Sequence, residues 1–230
     1  MTQASYTLHY APDNASLVIR LALEETGVVY RTQLVDRRVS AQHTPAYRAL
    51  NPNGLIPVLE TPQGAMFETA AILLWLCDQH GGLGPQVDDQ HRADSLKWLF
   101  FLSNTLHPAL RMLFYPAQYI GDTTEDQAQL ARVTQASVQG YLRLLDTRWH
   151  QGAPGLMHTL YFGPMLRWLA LYPRHSDKCW FKLADYPALL AAMQDLENRP
   201  SVLTAQHAEG LGPTPFTAPQ PPSPPEGSAL

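Results

Sequence analysis

Asn51-Pro52-Asn53-Gly54-Leu55-Ile56-Pro57-Val58-Leu59, followed by Phe67-Glu68-Thr69-Ala70-Ala71-Ile72, is the stretch whose reading decides the fold. Leu55 to Glu60 reads as a strand that contains a proline. A proline has no N–H for a ladder, so Pro57 belongs at the start or edge of that strand. A cis Ile56–Pro57 peptide suits a strand start, because cis costs about 0.5–1 kcal/mol before proline and about 2.5–4 kcal/mol elsewhere. A plain edge-strand proline is the alternative. Pro62-Gln63-Gly64 then reads as a turn and Ala65 to Phe67 as the returning strand of a hairpin. Thr69 to His80 is strongly apolar and reads as a helix.

Upstream, Tyr6 to Tyr10 is short, aromatic and β-prone, and Pro12, Asp13 and Asn14 break it. From Ser16, Leu17, Leu21 and Ala22 fall at helical spacing, and Gly27 provides the stop. Val28 to Val35 reads as a second strand, so strand, helix and strand form a parallel crossover unit. Arg37 to Leu50 is polar and reads as irregular or weakly helical. Residues 1–81 therefore read as β-α-β followed by β-β-α.

Downstream the pattern changes. Residues 82–89 read as a linker rich in glycine and proline, and residues 90–210 as helices throughout. The first of these helices runs to about Tyr115 and is expected to bend at Pro108. Thr123-Thr124-Glu125-Asp126 opens the next with a capping residue and early acids. Gly155 to Leu171 is apolar on most faces, as in the centre of a bundle. Two short helices, Pro187 to Asn198 and Ser201 to Glu209, close the bundle. Residues 211–230 are rich in proline and read as an extended or disordered tail with little to bury.

Composition narrows the function classes. With 45% hydrophobic and 16% charged residues, the 230-residue chain can form a core and is not disordered throughout. The net charge of −4 and scattered basic residues give no footprint for nucleic acid or an anionic membrane. No apolar run reaches the roughly 18–20 residues that span a bilayer, and Met1 to Tyr10 does not read as a signal peptide. Cys77 and Cys179 lie in unrelated contexts, which fits a reducing cytoplasm without a disulfide. The nine histidines show no paired metal spacing.

The Asn51–Leu59 run and the Glu68-Thr69-x-x-Ile72 opening of a helix resemble the two-part signature of the soluble glutathione transferases. The segment Tyr10-Ala11-Pro12, Ser16 and Arg20 to Gly27 is similar to the bacterial beta class of that family. The resemblance runs to Gly210. It implies a thioredoxin-like α/β domain with a four-stranded mixed sheet, then an all-α bundle, in a homodimer with an active site between the two domains. It implies glutathione as co-substrate and no metal.

By the same resemblance, Asn53, Ile56 and Pro57 belong to the glutathione site, with the Ile56 backbone pairing with the cysteinyl backbone of the tripeptide as an added strand does. Glu68 and Thr69 combine an acceptor for an ammonium with helix N-terminal amides for a carboxylate, and the γ-glutamyl group carries both. His107 matches a histidine that approaches the active site. Arg111, Tyr115 and Tyr119 are expected to wall the electrophile pocket, with a buried aromatic stripe as the alternative. Arg37-Arg38 is either a solvated pair or reaches the glycine carboxylate.

A thiol of pKa about 8.5 must be lowered by about two units, roughly 2.7 kcal/mol, to be mostly thiolate at neutral pH. The beta-class cysteine position is filled by Ala15, so no enzyme–glutathione disulfide can form there. The remaining donors are Ser16 and Asn14 jointly, with Tyr10 as the third candidate; Ser16 and Asn14 are also natural helix caps. A second departure lies where the family opens its central helix with a capping box: the aligned positions are Leu156 and Thr159. The leading expectation is conjugation of glutathione to small hydrophobic electrophiles. The alternatives are glutathione-dependent peroxide or disulfide reduction, and a scaffold that binds glutathione or an apolar ligand without turnover.

Overall fold

The computed structural model describes residues 6–229. The sequence reading of Met1 to Tyr10 includes residues 1–5, which lie outside the described residues. The sheet is formed by β1 (Tyr6–Tyr10), β2 (Tyr30–Leu34), β3 (Val58–Thr61) and β4 (Gly64–Phe67), in the order β2-β1-β3-β4. β1 runs parallel to β2, with Tyr10 opposite Leu34, and antiparallel to β3. β3 and β4 form the expected hairpin. The sheet is thus four-stranded and mixed, in a thioredoxin-like arrangement.

Helix α1 (Ser16–Thr26) ends at Gly27, whose φ of 66° supplies the left-handed cap read from the sequence. Polar residues 37–50 resolve into two 3₁₀ turns and α2 (Pro45–Leu50), which Thr44 caps by accepting from the Tyr47 N–H. Tyr47 packs with Val35 and Val58 in a small cluster on one face of the sheet. On the other face α1 and α3 (Thr69–His80) pack together and merge with the helical half in one continuous core.

The long helix expected to reach Tyr115 is divided: α4 (Arg92–Phe101), a π-helical turn over Leu102–Leu106, and α5 (His107–Phe114). Pro108 has no N–H to continue the α ladder, and the wider turn just before it absorbs that loss. Then come α6 (Ala117–Ile120), α7 (Thr124–His150), α8 (Leu156–Leu171), α9 (Pro187–Glu197) and α10 (Pro200–Glu209). Helix α8 lacks a side-chain cap at Gly155. Its end is satisfied from the connecting segment instead, because the Met157 N–H donates to the Leu83 carbonyl at 2.7 Å. Gly155 has φ +147°, and a Cβ there would stand 3.3 Å from the Gly84 Cα, so the close approach requires glycine.

The proline-rich segment after Gly210 differs from its reading. It forms no regular element, yet it buries Leu211, Phe216 and Ala229. Both cysteines are free thiols, Cys77 buried and Cys179 exposed. Among the described residues, no helix is long and apolar enough to cross a membrane, and no group of three or more His, Cys, Asp or Glu could hold a metal ion.

Candidate functional site

The Ile56–Pro57 peptide is cis. The residue before it is held firmly: the Leu55 carbonyl accepts from Tyr47 Oη at 2.9 Å and from Asn51 Nδ2 at 2.8 Å. Asn51 Oδ1 in turn accepts from the Asn53 N–H at 3.0 Å, so Asn53 sits in an exposed turn locked by its neighbour. Among the described residues the Ile56 backbone makes no backbone hydrogen bond. Its N–H and carbonyl are left open for a partner just ahead of β3.

Glu68 stands at the start of α3 with φ +71°. A left-handed conformation costs a non-glycine residue on the order of 1–3 kcal/mol and clusters at ligand sites. Its side chain is exposed, while Thr69 beside it is buried at the first turn of the helix. The Glu68 carboxylate is thus open to solvent next to the N-terminus of α3.

The three candidate thiol donors are placed differently. The Ser16 hydroxyl is fully buried, accepting from the Ala11 N–H at 3.2 Å and donating to the Ala11 carbonyl at 3.0 Å. Both of its hydrogen-bonding roles are occupied in closing the loop from β1 to α1. Tyr10 is buried with the Arg20 guanidinium 4.6 Å over its ring, and its hydroxyl donates to Glu226. Burial first, then Glu226, raises its pKa far above that of an ordinary phenol. Asn14 is partly exposed and its Oδ1 accepts from the Ala15 N–H at 2.8 Å, while its Nδ2 makes no hydrogen bond among the described residues. The structure thus leaves Asn14 as the open side-chain donor at the head of α1.

Behind Asn14 lies a buried ionic network that the sequence reading missed. Asp13 takes φ +50°, and its carboxylate accepts from Arg167 Nε at 2.8 Å, Trp168 Nε1 at 3.1 Å and Tyr172 Oη at 2.6 Å. The Asp13 N–H donates to Glu209 at 2.8 Å, and Glu209 also accepts from Arg20 at 2.7 Å. Burial raises the Glu209 pKa, against the opposing effect of Arg20. One signal was available: Arg167 lies within a helix that is apolar on most faces, and a buried cation needs a counter-charge.

His107 Nδ1 lies 3.0 Å from Tyr161 Oη, and its ring packs 5.6 Å from that of Trp168, the partner of Asp13. Burial, with a smaller contribution from Arg111, pushes the His107 pKa down to about 4. Tyr161 is raised by burial and, to a smaller extent, by the charge of Glu68. Arg111 groups with Tyr115 and Tyr119: its guanidinium lies 5.6 Å over the Tyr115 ring and its Nε donates to Tyr119 Oη at 3.3 Å. Arg38 pairs with Asp36 at 2.7 Å, whereas Arg37 donates to the Ala229 carbonyl.

The depressed His107 pKa sets a pH dependence. The unfolded histidine, of pKa about 6.5, binds a proton that the folded one refuses until about pH 4. The stabilisation is complete above pH 6.5 and is lost as pH falls towards 4, by about 3 kcal/mol. His107→Gln should flatten that part of the curve in urea titrations from pH 7 to 4; an unchanged slope would place the proton uptake elsewhere, such as His158, which burial also depresses.

Comparison with known proteins agrees with this geometry. A family model described as the glutathione S-transferase N-terminal domain matches residues 15–79. A glutathione S-transferase of Xanthomonas campestris is 27% identical, with 89% of this chain and 98% of that protein covered. The structure of a sphingomonad glutathione S-transferase complexed with glutathione is 32% identical, covering 90% of this chain and 100% of that one, with a TM-score of 0.73. A bacterial beta class glutathione S-transferase of Sphingomonas chungbukensis is 29% identical over 89% of this chain and 98% of its own, with a TM-score of 0.72. The open Ile56 edge, the strained Glu68 and the sheet order thus meet a likeness that spans nearly the whole chain, and the protein belongs to the glutathione S-transferase family.

Proposed function

We propose that this protein binds glutathione along Ile56, Glu68 and Thr69 and transfers its thiolate to small hydrophobic electrophiles. The observation that carries the reading furthest is Glu68, held at φ +71° at the head of α3 beside the unpaired Ile56 backbone. Glu68 takes the ammonium of the γ-glutamyl group, the α3 amides take its carboxylate, and Ile56 takes the cysteinyl backbone. That docking aims the thiol at the head of α1. There Asn14 Nδ2 donates to the sulfur and the α1 N-terminus favours its negative charge. Ser16 acts beneath it by fixing the loop. Arg111, Tyr115 and Tyr119 form one wall for the electrophile. His107, held neutral, orders Tyr161 and Trp168 behind the site.

In this reading residues 1–81 hold glutathione, residues 90–210 supply the electrophile pocket, and 82–89 connect them. Two copies associate as a homodimer in the cytoplasm. Attack comes from the bound thiolate on the electrophilic carbon, and the leaving group departs with its electron pair, so no covalent enzyme intermediate forms. Ala15 in the beta-class cysteine position favours this over exchange through an enzyme disulfide.

Glutathione-dependent turnover of a chloronitroarene should exceed turnover of a peroxide or a small disulfide. The reverse ranking would make the protein a reductase, and binding without any turnover would make it a scaffold. Glu68→Ala should weaken glutathione binding about 10- to 100-fold by calorimetry, the loss of one charge-assisted hydrogen bond of about 1.5–3 kcal/mol. An unchanged Kd would remove Glu68 from the site.

A further inference from the structure

The segment after Gly210 has two halves with different anchoring. In the first, the buried Arg167 guanidinium donates to the carbonyls of Leu211 at 3.0 Å, Pro215 at 3.2 Å and Gln220 at 2.9 Å. Glu197 accepts from the Phe216 and Thr217 N–H groups at 2.7 and 2.8 Å, and Phe216 is buried. This half is part of the helical core.

The second half leaves at Ser223, whose N–H donates to the Gly210 carbonyl at 2.9 Å, and crosses to the sheet. Pro225 and Glu226 lie exposed on the surface. Glu226 accepts from Tyr10 Oη, Gly227 lies against Leu34 and Pro12, and the Ala229 carbonyl accepts from Arg37. These contacts fall at the carboxyl ends of β1 and β2, the end of an α/β sheet where ligands bind. Pro12 is two residues from Asn14. The crossing segment therefore covers the end of the sheet from which the thiol-activating loop departs.

Arg37 is a telling partner. Its neighbour Arg38 has a carboxylate in Asp36, but among the described residues Arg37 has no carboxylate and is met by a neutral backbone carbonyl. A charge-assisted bond to a carboxylate is roughly twice as strong as a neutral one. Glutathione brings a free glycyl carboxylate.

We propose that residues 224–229 are an autoinhibitory strap that occupies Arg37 and covers the carboxyl ends of β1 and β2, and that glutathione displaces it through its glycyl carboxylate. The proposal rests on the glutathione site described above. A closed strap lowers apparent affinity by the fraction of molecules in which it is open. Its link to the core through residues 211–223 keeps the strap near its site when released.

The test is calorimetric titration of glutathione into the full chain, a chain ending at Ser223, and Gly227→Val. The valine leaves the chain length unchanged. Its Cβ would meet Leu34 Cδ1 at 2.7 Å and Pro12 Cδ at 3.3 Å at a φ of +72°, which dislodges the strap. Both variants should bind glutathione about tenfold more tightly than the full chain, and Arg37→Ala in the shortened chain should cancel the gain. In the full chain, glutathione should also increase hydrogen exchange at residues 226–229. Equal affinities in all three proteins, or weaker binding in the variants, would overturn the strap and leave the transferase reading in place. No binding in any of the three would overturn both.

Discussion

Asp13→Ala is expected to lower the unfolding free energy by about 3–5 kcal/mol, the largest single-residue effect on stability in this protein. Asp13 and Arg167 are both fully enclosed, and their contact measures 2.8 Å. Removing the carboxylate leaves the guanidinium facing only carbonyls and deprives Trp168 Nε1 and Tyr172 Oη of their acceptor. A buried cation without its partner is costly, as is every orphaned donor. At roughly 2–4 °C per kcal/mol for a chain of this size, the melting temperature should fall by about 6–20 °C. Asp13→Asn is the informative control: it tolerates the left-handed backbone and keeps an acceptor, so it should recover part of the loss. A change below about 1 kcal/mol in urea unfolding of Asp13→Ala would contradict the network's structural role.

Asn14→Ala is expected to have the largest effect on chemistry. Removing one preorganised donor from an anionic centre typically costs 10²–10³ in rate, so kcat/KM for a chloronitroarene should fall about 100-fold. Glutathione affinity should change only a few-fold, because the proposed docking runs through Ile56, Glu68 and Thr69. Ser16→Ala should show the opposite balance: it orphans the buried Ala11 N–H and should cost about 1–3 kcal/mol of stability. If Ser16→Ala lost the rate while Asn14→Ala kept it, the assignment of the donor would be reversed.

Much of the N-terminal, sheet-containing part was legible because its backbone makes demands that few residues meet. Pro57 marked the cis turn, Gly27 the left-handed helix end, and Pro62-Gln63-Gly64 the hairpin. Glu68 and Thr69 were readable as a helix opening, but the left-handed backbone of Glu68 was not, since glutamate has no preference that announces it. The division of the long helix was half legible: Pro108 signalled a bend, while the π-helical turn over Leu102–Leu106 depends on how the bend packs.

The rest was hidden by distance along the chain. Asp13 meets Arg167 and Glu209 across 154 and 196 positions, and no local pattern predicts such pairings. Ser16 was visible as a helix start, but whether its hydroxyl faced inward to Ala11 or outward to a ligand depended on the loop's path. The proline-rich segment was misjudged because its composition suggested little to bury. Its buried side chains are few and scattered, Leu211 and Phe216 the largest, and the groups that hold its first half, Arg167 and Glu197, lie on α8 and α9.

The most direct test of the account is the ultraviolet difference spectrum of the glutathione complex across pH, in the native protein and in Asn14→Ala. The account predicts a bound thiolate in the native protein that titrates about two units below the free thiol value of about 8.5, and a return of at least one unit upward in Asn14→Ala. A bound thiol that titrates at the free value, or a thiolate that forms equally well without Asn14, would contradict it.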